Sequence, residues 1–178
     1  MSTNRTVNVF IASAGDIIIE RKIVTEVCLG LNESDMFTHS GVSLQARLWE
    51  DVIPSSEHTR EVISNRIEEC DIFVCIIYKR LDIPLSRRET GTLNEFLSVC
   101  DSGKLLKKPH FMFYFKSADI SSMNDHTDPH VNQVHVVKEK IQKDTLMHSD
   151  EFSAPHEFCE KIYDHLESWA REHVMKQL

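Results

Sequence analysis

CDIFVCIIY, Cys70 to Tyr78, is the stretch on which the fold turns. From Ile72 to Tyr78 every residue is apolar, and β-branched and aromatic side chains predominate. A strand with one wet face would alternate apolar and polar residues, and a surface helix would place a polar residue every third or fourth position. A short unbroken apolar run is the pattern of a strand covered on both faces, as in the middle of a parallel sheet. Such a sheet needs helices on both sides, so its neighbours should alternate strand and helix.

Working outward, they do. Toward the N-terminus, Thr59 to Glu69 has helical spacing, with Val62, Ile63 and Ile67 on one face. Before it lie a loop, WEDVIPSSEHT (49–59), and a partly alternating strand, Val42 to Trp49. The polar segment Glu33 to Gly41 reads as loop. Ile19, Ile23, Val27 and Leu31, with Val24 and Cys28 beside them, predict a helix to about Asn32, started by the Gly15-Asp16 turn with Asp16 as N-cap. Val7 to Ser13 is the first strand. Beyond Tyr78, a charged loop, KRLDIPLSRRE, leads to a helix from about Thr92 to Ser102 with Leu93, Phe96, Leu97 and Cys100 apolar. Pro109 to Phe115 is a fourth strand, Val131 to Lys143 a helix of weaker pattern, and Thr145 to His148 a short fifth strand. A long helix from Ser153 to about Lys176 closes the chain, with Phe158, Ile162, Leu166 and Trp169 at helical spacing. The expected fold is therefore α/β: a five-stranded parallel sheet with helices on both faces, in one domain spanning residues 1–178. In such sheets ligands bind beyond the carboxyl ends of the strands.

Composition narrows the function classes. A net charge of -8 argues against non-specific nucleic-acid binding, which needs a basic face to displace counterions. No run approaches the ~20 apolar residues of a membrane helix, and MSTNRTVNVFIAS lacks the layout of a signal peptide, so a cytoplasmic protein is expected. The five cysteines are odd in number and form no C-x-x-C pair, which suits reduced core thiols. G-x-G-x-x-G, G-x-x-x-x-G-K-[ST] and G-x-S-x-G are all missing, which disfavours dinucleotide-fold oxidoreductases, P-loop enzymes and serine hydrolases. His126-x-Asp128-x-His130 lies in a polar loop without a clear third or fourth protein ligand, and no metal is expected there.

The ligand edge collects the candidate chemistry. Thr92-Leu93-Asn94-Glu95 fits the capping box T-x-x-E, in which Glu95 turns back to the backbone N–H of Thr92. The same carboxylate opens a helix directly after the central strand. There it can stabilise positive charge developing on a sugar during glycosidic cleavage. Spacing alone allows both roles. Ser13, Ala14, Gly15 and Asp16 follow the first strand and could line a ribose or phosphate pocket. Trp49 is either a core aromatic or a stacking platform for a base. Tyr78 ends the central strand, and Arg80, with Lys79, Arg87 and Arg88, is either solvated loop charge or a phosphate contact. Glu20 and Arg21 are either helix-surface ion pairs or supports of that edge.

Five stretches, VFIASAGDIIIERKIVTEV, CDIFVCIIYKR, ETGTLNEFLSV, KPHFMFYFKSADI and FSAPHEFCEKIYDHLESW, together resemble the bacterial TIR-like domain family. In that family a strand ending in small residues runs into D-x-x-x-E-R, and a helix opens on T-G-[ST]-x-x-E-[FW]. The resemblance covers most of the chain. It implies a flavodoxin-like TIR fold and, for Glu95, the role of the glutamate that cleaves the nicotinamide–ribose bond of NAD, with NAD as substrate and no cofactor. It implies a homo-oligomer assembled through loop 49–59, and an effector in antiphage defence. Relatives of this kind often form the N-terminal part of longer proteins. Two other readings share the fold: a nucleotide N-glycosidase or deoxyribosyltransferase-like enzyme with Glu95 as covalent nucleophile, and a non-catalytic assembly module.

Overall fold

A computed structural model of the chain describes residues 5–13, 17–48, 69–79, 109–117, 129–144 and 147–173. Strand β1 (Arg5–Ser13) leads to helix α1 (Ile18–Glu33), the short helix α2 (Asp35–Ser40) and strand β2 (Val42–Leu48). Strands β3 (Ile72–Ile77) and β4 (His110–Lys116), helix α3 (Pro129–Gln142), strand β5 (His148–Phe152) and helix α4 (Pro155–His173) follow. The strands form one five-stranded sheet in the order β2-β1-β3-β4-β5, and every pairing is parallel. This is a flavodoxin-like arrangement. The chain leaves β1 first to one side and then to the other, which makes the crevice between β1 and β3 the topological switch point.

Residue parity divides the core. Val7, Val9 and Ile11 of β1, Ile72, Val74 and Ile76 of β3, and Met112 and Tyr114 of β4 face α1 and α4. Phe10 and Ala12, Phe73, Cys75 and Ile77, and Phe111, Phe113 and Phe115 face the opposite side, where α3 contributes Val137 and Ile141. All six residues of β3 are buried, because successive side chains enter opposite cores. At the amino ends of the strands Asp71 holds three of them in register. Its carboxylate accepts from Asn8 N (2.9 Å), its N–H donates to Asn8 O (3.0 Å), and its carbonyl accepts from His110 N (2.9 Å). The edge strand β2 is tied to α1 by Asn32, whose amide both donates to Leu44 O (2.9 Å) and accepts from Leu44 N (2.7 Å).

Three expectations are corrected. Residues 35–40, expected as loop, form α2, since Phe37 is buried and Gly41, at φ 69, supplies the left-handed C-cap. Six residues hold too few apolar positions for a periodicity to show. The fifth strand, expected over 145–148, runs through His148–Phe152 among the described residues, while 145 and 146 lie outside them: its backbone pairs with Met112 to Lys116 although its sequence, HSDEF, is polar. Helix α1 turns Glu20, Val24, Val27, Cys28 and Leu31 inward and leaves Ile19 60% exposed. Its N-cap is Ile17, with no side-chain cap bond. The predicted cap Asp16 and the predicted helices at 59–69 and 92–102 lie outside the described residues. Among the described residues no helix is long and apolar enough to cross a membrane.

Candidate functional site at the carboxyl ends of the strands

Strand β1 ends on Ser13, paired across the ladder with Ile76 of β3 and only 3% exposed. A hydroxyl buried there needs a partner. Arg21, in the second turn of α1, reaches back to supply it. Its Nε donates to Ser13 Oγ (2.5 Å) and its Nη2 to the Ser13 carbonyl oxygen (2.6 Å). The two-pronged guanidinium fixes the last residue of β1 at the switch point, a geometry that a lysine could not reproduce.

Glu20, one residue earlier, takes a core-facing position of α1 where an apolar side chain would be ordinary. It is 1% exposed. A carboxylate at that depth needs a charged partner, and Lys116, the last residue of β4, donates from Nζ to Glu20 Oε1 at 2.7 Å. The same ammonium lies 5.4 Å from the centre of the Tyr78 ring, and Lys79 Nζ lies 5.1 Å from it. Tyr78, which follows β3, thus sits against two cations, an arrangement favoured by the negative face of its ring. Ser13, Glu20, Arg21, Tyr78 and Lys116 are brought to one edge by three different strands and one helix. Positive charge gathers there on a chain of net charge -8. Such an edge can hold a phosphate or a sugar hydroxyl.

Lys116 was not singled out by sequence reasoning. Its signal was present, a lysine closing the apolar run FMFYF, but a lysine at a strand end usually goes to solvent. Its partner is 96 residues away in sequence, so no local pattern pairs them. Ala14, Gly15, Asp16, Trp49, Arg80, Thr92 and Glu95 lie outside the described residues, as do loop 49–59, His126 and Asp128.

Three of the four described cysteines, Cys28, Cys70 and Cys75, do not offer a nucleophile. Burial pushes the Cys28 thiol up to about 12, and burial with the neighbouring Asp71 charge raises that of Cys70 further. Cys75 is fully buried. These are core thiols.

No curated protein matches the chain. Residues 8–167, from within β1 to within α4, match the domain of unknown function DUF4062, and the chain belongs to that family.

Proposed function

We propose that the protein is an NAD glycohydrolase, or an ADP-ribose cyclase, that breaks the nicotinamide–ribose bond with Glu95 as the catalytic carboxylate. The observation that carries this reading is the switch point between β1 and β3, flanked by Ser13 and Tyr78, where the cations Arg21, Lys79 and Lys116 outnumber the one described acid, Glu20, that Lys116 pairs with. A dinucleotide laid across that crevice would set its pyrophosphate against the cations. Its nicotinamide ribose would then lie beside the helix expected after β3, on which Glu95 is expected. Glu95 would hydrogen-bond the ribose hydroxyls and stabilise the oxocarbenium-like state as nicotinamide leaves. Attack by water gives ADP-ribose, and attack by the adenine of the same molecule gives a cyclic product. The resemblance to TIR-like effectors supports a role in antiphage defence.

The test is release of nicotinamide from NAD by purified protein. Glu95→Gln should lower the rate at least ~100-fold with the fold retained, because glutamine can still complete a capping box. Full activity in that variant removes Glu95 from the mechanism. A panel of nucleoside monophosphates run beside NAD separates the competing reading: base release from a monophosphate, with a sugar trapped on Glu95, would mark a nucleotide N-glycosidase.

We also propose self-association through loop 49–59, where Trp49, Val52, Ile53 and Pro54 cluster apolar groups. Specific activity should then rise with protein concentration, and Ile53→Asp should suppress it without unfolding the chain. A flat specific activity across a hundredfold concentration range, with Ile53→Asp fully active, would mean a site complete within one chain.

A further inference from the structure

On the outer strand, about 10 Å across the sheet from β3, a second cluster of polar side chains has no place in the proposed reaction. His148 and Asp150 stand two residues apart on β5 and so share a face. His165 comes down to them from α4. Each residue offers one ligand atom, and these three atoms lie within 4.8 Å of one another. The rings of His148 and His165 meet edge to face at 4.0 Å. We propose that His148, Asp150 and His165 form a binding site for a divalent transition-metal ion of the zinc class.

Four features favour it. First, the ligand set of two imidazoles and one carboxylate is that of a zinc site with an open fourth position. Magnesium and calcium prefer all-oxygen shells. Tetrahedral zinc with bonds of ~2.0–2.1 Å sets its ligands ~3.4 Å apart, so side-chain shifts of about 1 Å suffice to close the site. Second, His148 Nε2 is buried and has no hydrogen-bond partner among the described residues, and a cation is a partner that would satisfy it.

Third, the supporting groups leave the right atoms available. His165 Nδ1 lies 2.8 Å from the Tyr114 hydroxyl, so Nδ1–H donating to that oxygen leaves the Nε2 lone pair for a metal. Asp150 Oδ1 accepts from Lys161 Nζ (2.9 Å) and Glu151 N (2.7 Å), while Oδ2 faces His165 Nε2 at 4.0 Å. Fourth, an open cavity of about 190 Å³, lined by His110, Met112, His148, His165 and Trp169, gives room for a water or another ligand in the fourth position.

The experiment is calorimetric titration of the chelator-stripped full chain with zinc chloride. One ion per chain should bind, with Kd of about 10 µM or tighter, and His148→Ala and His165→Ala should each weaken binding at least ~10-fold. His156→Ala, on the exposed first turn of α4, should leave it unchanged. A readout that needs no variant is the imidazole nitrogen spectrum: zinc should shift the ring resonances of His148 and His165 before any others. No saturable binding below about 1 mM, or binding undiminished in both alanine variants, or first shifts confined to other histidines, would each overturn the site.

Discussion

Glu20 and Lys116 show why single residues at the ligand edge matter to the whole. Glu20 has the burial of a leucine and the charge of an acid, and the chain tolerates it because Lys116 closes a 2.7 Å ion pair over it. Removing one partner strands the other. Lys116→Met should therefore destabilise the protein by about 3 kcal/mol in urea unfolding at pH 7, since an uncompensated carboxylate remains in the core. Adding Glu20→Leu should restore most of that loss, because an apolar pair of similar volume needs no counter-charge. If Lys116→Met alone is silent, the pair is a solvated contact rather than a structural one. Arg21 belongs to the same scale, since its hold on Ser13 is what gives β1 a defined end. Both side chains could be suspected from the sequence because they follow the first strand within one helical turn or two. What Glu20 touches could not, because Lys116 enters from β4.

At the scale of elements, packing explains which parts were legible. The buried strands β1, β3 and β4 were readable because cover on both faces demands unbroken apolar runs such as IFVCII and FMFYF. Helix α4 was readable because Phe158, Ile162, Leu166 and Trp169 repeat at helical spacing and all four are buried against α1 and the sheet. Its start is also marked, with Pro155 in the first turn and Glu157 accepting from the Ser153 N–H (2.8 Å) and hydroxyl (3.0 Å). Edge strand β5 was misplaced because tertiary pairing, not propensity, makes HSDEF a strand. The zinc-class site proposed above was missed for the same reason, since placing His148 and Asp150 on one face requires β5 to be in the right register. Leu166 tests the α4 argument: it is fully buried between α1 and the sheet, so Leu166→Ala should cost about 3 kcal/mol. A loss below about 1 kcal/mol would mean that the helix repacks and is not fixed by this seam.

At the scale of the whole molecule, the histidines beneath α4 make stability depend on pH. His110 begins β4 and faces Trp169 and His173 of α4, with His148 of β5 nearby. Burial, and then repulsion from His173 and His148, lowers its pKa to about 4. Burial lowers those of His148 and His165 as well. An unfolded histidine titrates near ~6.5, so between about 6.5 and 4 the unfolded chain binds more protons than the folded one. The folded state is therefore favoured fully above that window and loses stability as pH falls through it. A second loss comes lower, because the Ser153 N–H and hydroxyl, with Lys161, hold Glu157 down at about 2. Its contribution is present above its ordinary carboxylate range and disappears as pH falls toward that value. Urea midpoints of metal-free protein measured from pH 8 down to pH 3 should show both phases. Replacing His110 with glutamine removes one group that must stay uncharged, so His110→Gln should flatten the upper phase and leave the lower one in place. Glu157→Gln should do the reverse. If wild type and His110→Gln lose stability in parallel between pH 6.5 and 4.5, then His110 is protonated without penalty in the folded protein, and the space beneath α4 is wetter than its burial implies.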